Sequence, residues 1–260
     1  MTKFSSQFGS DTVQLMAGYS NVANGLTGSS AAQIQRELPS NFHNGISNLL
    51  DIPYDVMTFE EGQDVFNEGE MSKGLYILKS GCVKIFVHRE ASRGRTTTPE
   101  YVTKLVSPGE MFGYKSLASE GQNKAFAKAV RTSTVWMYAA KDVMNLLSQT
   151  HPIIRTLLQQ AIMDIQNYEK ISQLHYLASV QERIAYQIVT LADRFGVQTA
   201  KGLSLNLKLT RNEFAQLAST INESLSRHLT EFKNEGLIDI NGKEIIIKNR
   251  EGLAAKSGNF

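Results

Sequence analysis

Four polar residues near the C-terminal end have the types and spacing that suit contacts with the base edges of DNA. Asn222, Glu223, Ser226 and Arg227 fall at positions that share one face of a helix. Arginine can donate a pair of hydrogen bonds to guanine, asparagine can pair with adenine, and glutamate can accept from the amino group of cytosine. A surface ion pair between Glu223 and Arg227 is an alternative that does not exclude base contacts.

Four further residues are predicted to contact the phosphate backbone. Thr210, Arg211 and Asn212 lie shortly before this face, and Lys243 follows it in a predicted turn. Hydroxyl, amide and cationic side chains of this kind commonly position a protein on DNA without reading its sequence.

Two short helices are predicted to carry these residues. Thr210 followed three residues later by Glu213 is a capping box, which indicates the start of the first helix. Residues 219–221 form a tight connection, and a second helix runs from Asn222 to about Lys233. This order is that of a helix-turn-helix, whose second helix enters the major groove.

A two-stranded wing is predicted after the second helix. Gly236 ends that helix, and Asn241-Gly242 between two β-rich runs is a strong hairpin signal. The region 179–260 is therefore predicted to be a winged helix-turn-helix domain.

Residues 46–140 are predicted to form a β-barrel or jelly roll, which makes the whole chain an α+β protein. Short β-rich runs alternate with glycine turns over this region. In GLYILKSGCVKIFV, the Ser80-Gly81 pair predicts a hairpin turn. A long hairpin loop follows, in which Arg89, Arg93 and Arg95 are either solvated or bind a polyanion such as a cyclic dinucleotide.

Residues 141–178 are predicted to form a long helix that mediates dimerisation. The helix carries an apolar seam with heptad spacing, which favours packing against a second copy, with packing onto the barrel as the alternative. The seam residues are Ile154, Leu158, Ala161, Ile165 and Tyr168.

Composition predicts a soluble cytoplasmic protein, and since no catalytic constellation is found in the sequence, we do not expect an enzyme. The formal net charge is +2, and no apolar run has the length of a membrane span or a secretion signal. The single cysteine, Cys82, excludes a cysteine-held iron–sulfur cluster, and the five scattered histidines show no metal-binding spacing. Residues 1–45, rich in Gly, Ser and Asn, are predicted to be a flexible extension.

From about Asn48 to Asn249 the chain resembles the cyclic-AMP receptor protein/FNR superfamily of bacterial transcription factors. Three stretches carry the resemblance: the GLYILKSGCVKIF and SPGEMFGYKSL pattern, the long helix into HYLASVQERIA, and the TRNEF, INESLSRHL and GLIDINGK series. The resemblance implies a cyclic-nucleotide-binding-type barrel, a dimerising helix, a winged DNA reader and RNA polymerase as a partner. Glu223, Ser226 and Arg227 match the E-x-x-S-R positions that the FNR branch uses on TTGAT-like half-sites.

The resemblance also places an effector pocket in the barrel. The cyclic-AMP binders use a Gly-Glu pair where this chain has Gly113-Tyr114, followed by Lys115, and an Arg-Ser pair where it has Lys124-Ala125. Because lysine lacks the fork of arginine, we expect a nucleotide or another small anion rather than cyclic AMP. Asn167 and Tyr168 match the positions that close over the ligand, although Tyr168 can instead fill the pocket.

These observations predict a homodimeric, sequence-specific DNA-binding transcription regulator with double-stranded palindromic DNA as its partner. The alternative is an effector-free protein-interaction module that kept the fold and lost the response to a signal.

Overall fold

The structure is a computed structural model that describes residues 50–88, 100–119, 121–149, 151–205 and 207–258. The expectations for residues 1–45 and for Arg89, Arg93 and Arg95 lie outside the described residues.

Among the described residues, six antiparallel strands form the N-terminal sheet: β1 (Asp55–Phe59), β2 (Asp64–Phe66), β3 (Gly74–His88), β4 (Glu100–Val106), β5 (Met111–Phe112) and β6 (Phe126–Ala139). Their order is β1-β6-β3-β4, with β2 paired to β6 and β5 paired to β3. Both long strands are rich in β-branched and aromatic residues, and residues 74–78 of β3 are all buried, so both faces of the sheet are covered there.

The hairpin predicted at Ser80-Gly81 is wrong, because β3 runs through this position as one strand of 15 residues. Gly81 adopts a positive φ of 99°, and the pairing of β3 with β6 shifts register around it. The backbone N–H of Cys82 is satisfied by the Ser133 hydroxyl at 3.1 Å. The glycine therefore produces a bulge in a continuous strand rather than a chain reversal.

The chain then becomes helical and remains so, with short interruptions, up to Phe195. A short helix α1 (Tyr114–Leu117) lies within the sheet domain, and α2 (Ala140–Leu147), α3 (Ile153–Leu177) and α4 (Val180–Phe195) follow the last strand. Helix α4 begins at a capping box formed by Ser179 and Glu182.

The C-terminal part contains the predicted helix-turn-helix and wing. Helices α5 (Arg211–Leu217) and α6 (Asn222–Asn234) are followed by β9 (Ile238–Asn241) and β10 (Glu244–Ile247). The wing turn consists of Gly242 and Lys243, one residue later than the predicted Asn-Gly turn, since Asn241 pairs with Glu244. A second hairpin, β7 (Gly196–Thr199) and β8 (Gly202–Leu205), extends the wing to four strands, and α7 (Arg250–Lys256) follows.

One apolar core joins the winged domain to the outer face of the sheet. Ile184, Ile188 and Leu191 of α4 pack with Phe86 and Leu105 of the sheet. Cys82 lies fully buried in this cluster, and burial raises the pKa of its thiol to about 12. The predicted α+β class is confirmed, with an antiparallel N-terminal domain, a long helix and a winged helix-turn-helix.

Candidate nucleic-acid interface and effector pocket

Helix α6 separates an apolar face from the predicted reading face. Leu225, Leu229 and Phe232 are buried against the rest of the winged domain. The four predicted base-reading residues are all exposed: Asn222, Glu223, Ser226 and Arg227. This part of the helix is therefore available to enter a major groove.

The surface ion pair considered for Glu223 and Arg227 is replaced by a different one. The Arg227 guanidinium lies 3.9 Å from a Glu231 carboxylate oxygen, and both side chains are largely exposed. An exposed pair of this kind contributes little stability and is easily exchanged for another partner.

A left-handed residue makes the turn between α5 and α6. Ser219 has a φ of 49°, in the left-handed region that a residue with a side chain rarely adopts. The backbone N–H of Thr220 donates to the carbonyl of Ala215 at 2.8 Å. This turn sets the angle between the two helices.

Arg183 of α4 links this turn to the end of the long helix. Its guanidinium donates to the carbonyl oxygens of Ala218 at 3.2 Å and Ser219 at 3.0 Å. A third bond, of 2.8 Å, reaches the carbonyl of Ala178 directly after α3. One side chain therefore joins three backbone segments.

The predicted phosphate-contacting residues differ in their exposure to solvent and in their hydrogen bonds within the protein. Asn212 and Lys243 are exposed, whereas Arg211 is half-buried and donates to the Gly242 carbonyl in the wing at 3.3 Å. The Thr210 hydroxyl accepts from the Glu213 backbone N–H at 3.2 Å, so the predicted capping box is confirmed.

Glu213 has a second role that the sequence analysis missed. One of its oxygens lies 2.6 Å from Nζ of Lys84 in β3, and Lys84 also pairs with Glu100. Burial opposes the charge on Glu213, but its hydrogen bonds to Lys84 and Thr210 lower the pKa of the carboxyl group. The first helix of the DNA-reading module is thereby attached to the sheet domain by a buried ion pair.

A cavity of about 450 Å³ opens in the N-terminal domain, beside α3. Six of the seven predicted effector residues line it: Gly113, Tyr114, Lys115, Lys124, Ala125 and Tyr168. Asn167 is exposed on α3 and is not part of the lining. Tyr168 is half-exposed at the wall, so it does not fill the cavity as the alternative expectation had it.

Asp164 of α3 is the main polar residue of the cavity that the sequence analysis missed. Its carboxylate pairs with Lys104 at 2.7 Å and with Lys115 at 3.0 Å, and it accepts a hydrogen bond of 2.7 Å from the Tyr114 hydroxyl. The side chain of Asp164 is 5 % exposed. A signal existed in the sequence, because Leu157, Ala161 and Asp164 share the spacing of one buried helix face.

The two pKa values in this cluster shift in opposite directions. Burial alone would raise the pKa of Asp164, but the hydrogen bond and charge of Lys104, with the bonds from Tyr114 and Lys115, hold it at about 2. Burial, reinforced by the neighbouring carboxylate, raises the pKa of Tyr114. Asp164 is therefore a carboxylate and Tyr114 a neutral donor at neutral pH.

The predicted seam on α3 is largely uncovered. Leu158 is 60 % exposed and Ile165 is 56 % exposed, and Ile154 and Tyr168 are also exposed. Ala161 is half-buried and packs against the apolar side chains of the N-terminal domain that lie beneath α3. The helix is thus attached to the sheet domain along one side and presents an apolar stripe on another.

Fold and site together define a class of protein: a DNA reader of the winged helix-turn-helix type joined to a small-molecule-binding type of β-domain. Two family models match the chain, one over the winged helix-turn-helix and one over the N-terminal domain. The Crp-like helix-turn-helix domain matches residues 182–256, and the cyclic nucleotide-binding domain matches residues 56–150. The chain belongs to the cyclic-AMP receptor protein/FNR superfamily and is a DNA-binding transcription regulator of that type.

Proteins of known function support this assignment. The electron transport regulator A of Shewanella oneidensis is 28 % identical over 221 residues, which are 83 % of this chain and 84 % of that protein. The CRP-like cAMP-activated global transcriptional regulator of Mycobacterium tuberculosis is 29 % identical over 199 residues, 76 % of this chain and 86 % of that protein.

Solved structures show the same fold. FixK2 from Bradyrhizobium japonicum superposes with a TM-score of 0.67 at 18 % identity, over 80 % of this chain and 100 % of that one. TTHA1359, a CRP/FNR-family regulator from Thermus thermophilus, gives 0.65 at 17 % identity, over 78 % of this chain and 98 % of that one.

The superfamily consists of transcription regulators rather than enzymes. Within the described ranges, no helix is long and apolar enough to cross a membrane, and no three His, Cys, Asp or Glu side chains are grouped to hold a metal ion.

Proposed function

We propose that the chain acts as a cytoplasmic homodimer that binds palindromic DNA through α6 and responds to a small anion bound in the N-terminal cavity. The observation that carries the proposal is the exposed polar face of α6 beside a fully buried apolar one. Two such helices in successive major grooves would lie about 34 Å apart.

The uncovered stripe on α3 supports the homodimer. Ile154, Leu158, Ile165 and Tyr168 repeat with heptad spacing and are exposed in the single chain. An exposed apolar stripe of this spacing is the typical contact of two parallel helices. A symmetric dimer would place two reading helices for a two-fold symmetric site.

The half-site is proposed to resemble TTGAT, because Glu223, Ser226 and Arg227 match the positions that the FNR branch uses on that sequence. Asn212 and Lys243, exposed on either side of α6 in the sequence, would contact phosphates. RNA polymerase is the proposed protein partner, as the superfamily resemblance implies.

The open cavity favours an effector over the alternative of an effector-free module. Its volume of about 450 Å³ lies within the usual range for small-molecule sites, and three lysines are among its lining residues.

The test is an electrophoretic shift with the palindrome TTGATNNNNATCAA and with a scrambled duplex. We expect Arg227→Ala to weaken specific binding by roughly 10- to 100-fold, because a bidentate arginine contact discriminates bases by about 1–3 kcal/mol. Lys141→Ala, which removes an exposed cation from α2, is the matched control and should bind like the wild type. If an unbiased selection recovers no palindrome, the proposal is wrong.

A further inference from the structure

We infer that Asp164 is a built-in counter-anion of the cavity, and that a small organic anion with an apolar body displaces it and so releases α3 from the N-terminal domain. The inference rests on the proposed effector role of the cavity and names both its ligand class and its means of regulation.

The geometry places Asp164 where the acidic group of a ligand would sit. The aspartate projects from α3, and three of its partners, Lys104 of β4 and Tyr114 and Lys115 of α1, belong to the N-terminal domain. A fourth, Gln160, is on α3 itself and donates to the carboxylate at 3.2 Å. Two ammonium groups and one hydroxyl that converge on one carboxylate form a ready site for any carboxylate or sulfonate.

The charges of the lining favour an anion over a cation. Asp164 is the one acidic side chain among the described residues that line the cavity, against Lys104, Lys115 and Lys124. A ligand anion that replaced Asp164 would keep the two lysines paired, and the freed aspartate could move toward solvent with α3. A cation would have to compete with lysines that are already in place.

The rest of the lining favours an apolar ligand body. Phe66, Ile85, Val87 and Phe112 form a large part of the wall. Apolar walls with a few converging polar groups are the usual design of a site for a small organic molecule. An alkyl or aromatic carboxylate fits both parts of this description better than a free phosphate ion does.

Displacement of Asp164 would reach the seam directly. Ile165, a seam residue, is its neighbour in the chain, and Lys115 lies 5.3 Å from the ring centroid of Tyr168, another seam residue. The same lysine therefore touches both the carboxylate that attaches α3 and the aromatic ring at the edge of the proposed dimer contact.

The first test measures binding of octanoate and of its neutral analogue octanamide by calorimetry. Asp164→Asn should bind octanoate about tenfold or more tightly than the wild type, because the competing carboxylate is gone, whereas octanamide should gain nothing. Glu169→Gln is the matched control, since it removes an exposed negative charge from the same helix and should leave both affinities unchanged.

Equal octanoate affinity in wild type and Asp164→Asn would overturn the inference, as would failure of both to bind octanoate. Lys115→Gln gives a second variant if Asp164→Asn does not fold, because the Lys115 side chain is 57 % exposed. We expect this variant to bind octanoate at least fivefold more weakly, and an unchanged affinity would contradict the proposal.

Hydrogen exchange tests the release of α3. Octanoate should speed amide exchange over residues 160–168 of the wild type, and a slower or unchanged rate there would overturn the displacement mechanism. Neither readout contains DNA, so failure of the proposed DNA-binding function, seen in the shift assay, is distinguishable from failure of this inference.

Discussion

Asp164 stabilises the protein because its buried carboxylate is paired with Lys104 and Lys115 and accepts a hydrogen bond from the Tyr114 hydroxyl. These interactions outweigh the cost of burying the charge. The folded-state pKa of Asp164, about 2, lies below the ordinary value of about 4 for an aspartate. The unfolded chain therefore takes up the proton first as the pH falls. The stabilisation is complete above the ordinary pKa and is lost between about pH 4 and pH 2.

Asp164→Asn should therefore lower the free energy of unfolding by about 2 kcal/mol at neutral pH, with the difference from wild type shrinking as the pH falls below about 5. Urea titrations at a series of pH values measure this. A difference that stays constant down to pH 3 would show that the loss comes from packing rather than from charge.

Gly81 is a position in β3 that has no room for a side chain. A Cβ at this position would lie 2.2 Å from the Ser133 hydroxyl and 2.6 Å from the Thr132 carbonyl oxygen. Gly81→Ala should cost about 3 kcal/mol or more, because backbone would have to move and φ is positive. Thermal and urea unfolding of the variant measure this cost.

Gly62→Ala is the matched control for that prediction. Gly62 has a similar φ of 87°, but a Cβ there would meet nothing within 4 Å. The control should lose only about 1 kcal/mol, the cost of the left-handed backbone. Equal losses in the two variants would show that the contact with Ser133 is unimportant.

At the residue scale, exposed helix faces could be predicted from the sequence, but the contacts of buried polar groups could not. The exposed face that carries the predicted base-reading side chains could be placed because helical spacing alone puts them on one face. Helical spacing indicated that Asp164 lies on a buried face, but the ion pairs of Asp164 with Lys104 and of Lys84 with Glu213 could not be predicted, because the partners lie 60 and 129 positions apart along the chain. No local pattern records a contact of that separation.

Strand β4 lies at the edge of the N-terminal sheet, and helix α5 covers that edge. The side chain of Gln216 donates to the carbonyl of Glu100 at 2.7 Å and accepts from the N–H of Val102 at 2.9 Å. The amide thus pairs with the strand as another strand would, which satisfies groups that an open edge would expose.

Gln216→Ala should lower the free energy of unfolding by about 1–3 kcal/mol, because the buried N–H of Val102 loses its acceptor. Urea unfolding measures the change. Asn212→Ala, an exposed amide on the same helix, is the control and should change stability by about 0.5 kcal/mol or less. A similar loss in both variants would contradict the edge-pairing role.

At the element scale, prediction worked where local signals agreed. Helix α6 begins at Asn222 as predicted, since the capping box of α5, the turn after α5 and the apolar stripe of α6 all indicated the same frame. Strand β3 was divided wrongly because Ser-Gly is equally suited to a turn and to a bulge. Only the long partner β6, which pairs along most of β3, decides between the two.

At the scale of the whole molecule, the exposed stripe on α3 predicts the state of association. Leu158→Asp should convert a dimer into a monomer of 28.9 kDa, because it places a charge at the centre of the seam. Size-exclusion chromatography with light scattering measures the mass. The same variant should lose binding to the palindrome while keeping its helical content.

Met163→Asp is the control, since Met163 is also exposed but lies about two and a half turns beyond Ile154, on the opposite side of α3. This variant should remain dimeric. A monomeric wild type, or equal disruption by both substitutions, would show that the seam is not the contact.

The guanidinium of Arg183 couples the end of α3 to the turn that precedes α6. One rigid planar cation is hydrogen-bonded both to the end of α3 and to the turn that precedes α6. A movement of either segment is therefore expected to move the other. A lysine there, with a single ammonium group on a flexible stem, could not hold all three carbonyl oxygens in this fixed geometry and would couple the two segments more loosely.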